Sequence, residues 1–364
     1  MCVSMARATW RANGTRGMQV RHSANPTDRA ASLKLMDMAT GHWKSAIVRE
    51  FTGMDVPAAL KDGPLPYEEI ARRCGMHVGA GKRFLRAAEG LGLLVKEGEM
   101  LRLSEMGALL DKGRSDSFAY TALLESSVPH ILAWTGLQEF LTTGEKSVQS
   151  TLKVNNYWEL FNPESAFPNH VELFSKGMTS GSNIEVASIL GSEVDFSVHQ
   201  TFADVGGSEG KLLIGLLEAC PGSTGVVVDL PEVVGRVQVP PHLEGRMSTS
   251  AGSFLDRTGI PSGMDAYLLK HIIHDWDDEP SVQILSHIAQ AMQDGGAVYV
   301  FEMIVPEEDG PDLSKMFDLH MGLILSGKER TVEEFETLFQ ASGLKLLEVH
   351  RTESHISILK ATKS

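Results

Sequence analysis

The stretch from Thr201 to Pro231, TFADVGGSEGKLLIGLLEACPGSTGVVVDLP, constrains the fold more than any other part of this chain. It opens as a short apolar run with the character of a buried strand. It breaks at Gly206, Gly207 and Gly210, then resumes with helical spacing through Leu212, Leu213, Leu216 and Leu217. A second apolar run, Gly225 to Val228, ends in Asp229. Strand, glycine turn, helix, strand and acid form the order of a βαβ nucleotide site. The glycines let the backbone approach a ligand, and a carboxylate at the next strand end can take both hydroxyls of a ribose. A glycine-rich turn alone serves any tight turn. Asp229, at the distance the motif requires, favours the ligand site.

The length of 364 residues fits roughly two domains. With 42% hydrophobic and 22% charged residues, the composition is that of an ordinary globular protein. A net charge of -14 argues against nucleic acid as main partner, because such binders need basic surface to displace counterions. Cys2, Cys74 and Cys220 have neither metal nor disulfide spacing and fit a reducing compartment, so the expected location is cytoplasmic. No apolar run is long enough to span a bilayer, and no membrane partner is expected. Residues 1–30 differ from the rest. Arg7, Arg11, Arg16 and Arg21 occur with no acid before Asp28. Two readings stay open there, a mitochondrial or plastid transit peptide and a disordered basic extension.

Residues 31–60 have helical apolar spacing through Leu33, Leu35, Met36, Met38, Trp43, Ile47, Val48 and Phe51. From Leu65 the pattern predicts helix, turn, helix, two short strands around Gly98 and another helix, the plan of a winged helix. Its basic residues Arg72, Arg73, Lys82, Arg83 and Arg86 are nearly matched by Glu68, Glu69, Glu89, Glu97 and Glu99, so a DNA-reading face is not favoured. Residues 117–144 and 157–190 read as helical, with a loop over 145–156. Strands and helices then alternate to the end. Strands are expected over 265–270 and 297–305, helices over 281–292 and 332–341, and a closing antiparallel pair over 344–349 and 355–360. The whole reads as an α/β sheet with helices on both faces.

Three further features carry chemistry. Lys270 to Asp278, KHIIHDWDD, follows a strand at the carboxyl edge, where open α/β sheets bind ligands. His274 there can serve as a general base near neutral pH, and His271, nearer the strand, has more the character of a structural residue. The plainer alternative is a loop histidine followed by helix-capping acids. Glu302 lies inside the apolar run VYVFEMIV, where a carboxylate is costly unless paired. Gly327 to Thr331, GKERT, reads as a helix entrance capped by Thr331, with Glu333 and Glu334 in the first turn. Beside His274, Glu302 and Glu329 would hold one imidazole in its tautomer and stabilise its cation.

In this order, DVGGSEG, DLP, KHIIHDWDD, FEMIVP and GKERT resemble the plant and microbial small-molecule O-methyltransferases, of the caffeic acid, acetylserotonin and bacterial polyketide-tailoring types. The resemblance covers nearly everything after Ala31. It implies a Rossmann-like class I methyltransferase sheet, mostly parallel with an antiparallel last strand, over residues 191–364. Residues 31–190 would form a mostly helical winged-helix domain for dimerisation and acceptor closure. S-adenosylmethionine would be the methyl donor, with no metal, and a homodimer is implied. By the resemblance, Gly206 lies in the cofactor turn, Asp229 binds the ribose and Leu230 lies beside the adenine. Ser253 and Phe254 touch the adenine, Lys270 lies against the cofactor, and Ser182 contacts its methionine end. Phe174, Met178, Asp318 and Met321 line the acceptor side. His274 is the base, flanked by Glu302 and Glu329. The sequence departs from the family at Ser208, where a third glycine is usual, and at Ser253, where plant members carry an acid.

Three rival functions remain on the sequence. Relatives of this family methylate a thioether acid in dimethylsulfoniopropionate synthesis, where no proton need be removed and the histidine becomes scaffold. A winged-helix regulator would need a basic recognition face, which the charge disfavours. A nicotinamide dehydrogenase also begins with a glycine turn and an acid, but DLP with HDWDD fits it poorly.

Overall fold

The computed structural model describes residues 26–162 and 164–364. The first 25 residues, on which both readings of the basic extension rest, lie outside the described residues. The chain forms two compact units that divide between Ala108 and Leu109. The stretch 109–190, grouped by the sequence reading with the N-terminal region, packs with the second unit.

In the first unit the expected long helix is divided into Pro26–Ala39, Gly41–Gly53 and the single turn Val56–Ala59. Asp55 adopts φ 54, a left-handed conformation that ends a helix. Two further helices, Tyr67–Arg73 and Val78–Gly90, precede a hairpin. Strand β1 (Leu65–Pro66) pairs with β3 (Met100–Leu103), and β3 with β2 (Leu94–Glu97), all antiparallel. Gly98, at φ 63, makes the turn predicted there.

The second unit is built on a seven-stranded sheet. Its strands are β4 (Thr201–Val205), β5 (Thr224–Asp229), β6 (Met247–Ala251), β7 (Ala266–Lys270), β8 (Ala297–Glu302), β9 (Leu344–Arg351) and β10 (Ser357–Lys363), in spatial order β6-β5-β4-β7-β8-β10-β9. Every pairing from β6 to β8 is parallel, and β10 runs against both neighbours. The apolar runs of β4, β7 and β8 are buried because helices cover both faces of the sheet. Successive side chains alternate between the two cores. Ala203, Val205, Val226 and Val228 pack with helices Asp278–Ala291 and Val332–Ala341. Phe202 and Val227 pack with helices Lys211–Ala219 and His170–Leu190.

The sequence pattern does not predict several elements, among them the following three. Strand β6 exposes Ser248 and Thr249 at the sheet edge, so it lacks an apolar run. The expected loop over 145–156 contains the short helix Val148–Leu152. Helix Leu313–Ile324 was read only as a motif.

Candidate active site

Parallel pairing brings the carboxyl ends of β4, β5, β7 and β8 to one edge, and Gly206, Asp229, Lys270, His274 and Glu302 lie in or shortly after those strand ends. After β4, Gly206 adopts φ 71 and Gly210 φ 77, a region that glycine enters at little cost. A Cβ on Gly206 would collide with the side chain of Ile272, and it would stand 3.4 Å from Phe254. Ser208, in the place of the usual third glycine, also takes a left-handed φ of 51, which explains the glycine preference there. Its backbone N–H donates to Asp229 Oδ2 at 2.8 Å, and the Leu230 N–H donates to Asp229 Oδ1 at 2.8 Å. Asp229 therefore closes the glycine turn onto the end of β5. Burial pushes its carboxyl above the usual range, against the pull of those two N–H groups. Leu230 beside it is exposed. The Ser253 hydroxyl is engaged locally, accepting from the Leu255 N–H at 3.2 Å, while the Phe254 ring meets Trp276 edge-on.

At the end of β7, Lys270 Nζ donates to Ser182 Oγ at 3.0 Å and to Glu185 Oε2 at 2.8 Å. The other oxygen of Glu185 lies 2.9 Å from His271 Nε2. Glu185 thus ties helix His170–Leu190 to the loop that follows β7. Despite burial, the positive charges of His271 and Lys270 hold its carboxyl far below the usual range. Sequence reasoning missed Glu185. It stands three residues after Ser182, one helical turn on, and that spacing was the signal available.

His271, at φ 55, stacks on His274 with ring centroids 4.9 Å apart. Glu302, fully buried at the end of β8, faces both rings. Its Oε1 accepts from the backbone N–H groups of Ile272 (3.0 Å), Ile273 (2.9 Å) and His274 (3.3 Å). Its Oε2 lies 3.5 Å from His274 Nδ1 and 3.7 Å from His271 Nδ1. Glu302 is therefore first a clamp on the loop backbone, and second a negative charge beside the two imidazoles. The direct partner of His274 is Glu329, whose Oε1 sits 2.8 Å from Nδ1. On the other side, Nε2 lies 3.4 Å from Asp275 Oδ1. Burial alone would lower the His274 pKa, but Glu302 and Glu329 more than reverse this and hold it at about 10. Asp275 is pushed up to about 6, mainly by burial.

The GKERT segment is brought to the loop by two features that the sequence reading did not assign. A Cβ on Gly327 would collide with the His274 carbonyl oxygen, so only glycine permits this approach. Arg330 is fully buried and donates to the carbonyls of Ile273 (3.1 Å) and Trp276 (2.9 Å), and to Asp278 Oδ1 (2.8 Å). Thr331 and Glu334 complete the expected cap as a capping box. Asp318 accepts from the Glu329 N–H at 3.1 Å, so that one of its oxygens supports Glu329 rather than an open wall.

Met321 is buried on the same helix as Asp318. Phe174 and Met178 lie on helix His170–Leu190, and both are half-buried. Phe174 joins an aromatic group with Tyr157, Trp158 and Phe161, at ring distances of 6.2, 5.9 and 4.9 Å. Asp204 is a further buried carboxyl at the end of β4. It has one unpartnered oxygen, and burial raises its pKa to about 7.

The strand order, the glycine turn closed by an acid on the second strand, and an imidazole set between carboxylates at the same edge define a class I methyltransferase. The chain belongs to the family described by the O-methyltransferase domain model, which matches residues 134–345. It is an S-adenosylmethionine-dependent methyltransferase. It is 30% identical over 331 residues to a phenazine O-methyltransferase of Lysobacter antibioticus, covering 90% of this chain and 95% of that protein. It is 30% identical to the mitomycin biosynthesis 6-O-methyltransferase of Streptomyces lavendulae, with 87% and 90% coverage. An 8-amino-8-demethylriboflavin N,N-dimethyltransferase of Streptomyces davaonensis is also 30% identical, with 82% and 85% coverage. Among solved structures, the methyltransferase of calicheamicin biosynthesis in its SAH-bound form superposes with a TM-score of 0.84. It has 28% identity and covers 94% of this chain and all of that one, 100%. Among the described residues, no helix is long and apolar enough to cross a membrane.

Proposed function

We propose that this enzyme methylates a hydroxyl of a small aromatic molecule and that His274 removes the hydroxyl proton. The observation that carries this reading is the imidazole itself. Its Nδ1 is held by Glu329 at 2.8 Å, which leaves Nε2 as the nitrogen able to take a proton. The relatives named for phenazine and mitomycin chemistry support a hydroxyl acceptor, and their names give no support to a thioether.

The residues at the sheet edge fit S-adenosylmethionine. Gly206 leaves its backbone bare of side chain, and Asp229 stands at the strand end with its carboxylate already oriented by two backbone N–H groups. Asp229 would take the ribose hydroxyls, with Leu230, Ser253 and Phe254 around the base, and Ser182 and Lys270 at the amino-acid end. When bound, the donor supplies a methyl group on a sulfonium that leaves as a neutral thioether. The chain's own part is proton removal and placement. A neutral hydroxyl is a weak nucleophile. Nε2 accepts its proton, and Glu329 with Glu302 stabilises the imidazolium that results, a contribution of roughly 10²–10⁴-fold. Glu302 also fixes the loop by its three backbone bonds, so the ring is aimed before the acceptor arrives. Phe174, Met178 and Met321 would supply the apolar walls against which a flat acceptor lies.

A homodimer is the expected assembly. Leu33, Leu35, Met36, Met38 and Trp43 are each more than 60% exposed on the first two helices, a surface that a second copy would cover. We place the enzyme in the cytoplasm, on the absence of disulfide spacing among its cysteines. The test of function is labelled methyl transfer from S-adenosylmethionine to a panel of phenols and hydroxylated heteroaromatics, with His274→Ala as control. Transfer that depends on His274 supports the reading, and equal transfer in the variant contradicts it.

A further inference from the structure

Beyond the donor edge lies a second polar cluster that no part of the chemistry above uses. Glu125 ends helix Ala119–Glu125, His130 lies in helix Val128–Trp134, and His320 in helix Leu313–Ile324. Glu125 Oε2 is 3.4 Å from His130 Nδ1 and 3.8 Å from His320 Nε2, and the three ligand atoms lie within 4.8 Å of one another. These separations exceed the roughly 2.7–3.2 Å of a made hydrogen bond. His130 Nδ1 is a buried atom without a hydrogen-bond partner. The three groups converge on a common point without satisfying one another.

The surrounding bonds fix where the protons are. Trp134 Nε1–H can only donate, and it donates to His320 Nδ1 at 3.0 Å. His320 is held neutral, since burial lowers its pKa to about 4. Its single proton is therefore on Nε2, facing Glu125. His130 Nε2 is 2.8 Å from the Tyr157 hydroxyl, which is 2.7 Å from His170 Nε2. His170 is likewise neutral, with a pKa lowered to about 4 by burial. A bare Nδ1 on His130 would point a lone pair at a carboxylate. The directions of the bonds along His130, Tyr157 and His170 follow the tautomers, and each arrangement that keeps a proton on His130 Nδ1 turns that N–H towards Glu125.

The convergence point thus offers two N–H donors and one carboxylate acceptor. A metal ion is excluded as occupant in this tautomer, because His320 Nε2 carries a proton in place of the lone pair a ligand needs. A carbonyl oxygen would suit the two N–H groups but face the carboxylate. An ammonium would suit the carboxylate but face the two N–H groups. A hydroxyl satisfies all three, accepting from the imidazoles and donating to Glu125. The carboxylate is reachable, with its side chain 40% exposed between buried imidazoles. Despite burial, the neighbouring His130 holds its carboxyl below the ordinary value. The cluster is joined to the base through helix Leu313–Ile324, whose Asp318 accepts from the N–H of Glu329, the partner of His274.

We infer that Glu125, His130 and His320 form a subsite for a second, unmethylated hydroxyl of the acceptor, making the substrate class a polyhydroxylated aromatic. The inference rests on the methyltransferase reading for its biological meaning, but the hydroxyl preference is a binding property and can be measured apart from turnover.

The experiment is equilibrium binding to the full-length enzyme saturated with S-adenosylhomocysteine. Its probes are 1-naphthol and 2-naphthol paired with the 1,3-, 1,5-, 1,6-, 1,7-, 1,8-, 2,3-, 2,6- and 2,7-dihydroxynaphthalenes. At least one diol is expected to bind about 10-fold or more tightly than its mono-ol, the effect of one hydrogen bond to a charged group. In Glu125→Gln the ratio for that diol falls to about 2 or less, while Glu125→Asp, which keeps the charge, retains part of it. S-adenosylhomocysteine affinity serves as the folding control. The inference is overturned by equal binding of mono-ols and diols, by a ratio that survives Glu125→Gln, or by no naphthol binding at all. Failure of the methyltransferase reading shows differently, as absent labelled methyl transfer with the diol preference intact.

Discussion

Glu329 Oε1 lies 2.8 Å from His274 Nδ1, and this contact occupies one ring nitrogen and leaves Nε2 for the proton transfer proposed above. Glu329→Gln would remove the charge and allow the amide to donate to Nδ1, which would then leave the proton on Nε2. We expect turnover to fall by about 10²–10⁴-fold, with donor affinity nearly unchanged. Steady-state kinetics together with calorimetry of S-adenosylhomocysteine checks both halves. A variant with full turnover removes Glu329 from the mechanism.

The same cluster sets two pH dependences of opposite sign. Only neutral His274 can take a proton, so turnover rises with pH towards the high pKa that Glu302 and Glu329 impose. Stability runs the other way. The folded-state pKa of about 10 is above the ordinary 6.5, so the protonated ring stabilises the fold fully below about pH 6.5. That contribution is lost as pH rises from there through about 10. Melting temperatures of the wild type and His274→Gln, compared across this range, should converge as pH rises. A constant gap would mean that His274 is not held protonated.

Arg330 joins the GKERT segment to the loop that follows β7. Its removal in Arg330→Met takes the shortest side-chain donor from the carbonyls of Ile273 and Trp276, leaving them the longer bonds from Ser281 Oγ at 3.4 and 3.3 Å and, at Ile273, the Trp276 N–H at 3.2 Å. We expect a loss of about 2–4 kcal/mol in unfolding free energy by urea titration, far above the effect of a surface arginine. A loss under about 1 kcal/mol would show that other bonds hold the loop.

Gly206→Ala places a methyl group against Ile272 and forces an unfavourable positive φ. Donor binding should weaken by about 10-fold or more, with a cost of roughly 1–2 kcal/mol in stability. Ser208→Gly is the converse change. It relieves a left-handed φ of 51, so donor binding should be kept. Calorimetry on both variants tests the pair, and strong binding by Gly206→Ala would show that the turn does not approach the donor.

The sheet was legible in the sequence because its strands are apolar runs and its turns carry glycines. Thr201 to Asp229 folds as its pattern predicts. Strand β6 was not legible, since consecutive Ser248 and Thr249, which point to opposite faces of the sheet, are both exposed and carry no apolar signal. In the site, His274, Glu302 and Glu329 were legible because a histidine after a strand, an acid inside an apolar run and a motif are all unusual locally. The supporting groups were not. Glu185 looks like any helix-surface acid until β7 is placed beside it, and Arg330 looks like one more basic residue until its fully buried position is seen. Glu125, His130 and His320 are spread over nearly two hundred residues, and only the packing of three helices brings them to one point.

In the proposed mechanism His274 faces a methyl donor seated at the glycine turn. The most direct test is a single-turnover measurement of labelled methyl transfer by His274→Ala and wild type, at S-adenosylmethionine concentrations that calorimetry shows to be saturating for each. The predicted result is donor affinity within about 3-fold of wild type and transfer slower by about 100-fold or more. Transfer at the wild-type rate, or loss of donor binding in place of chemistry, would contradict it.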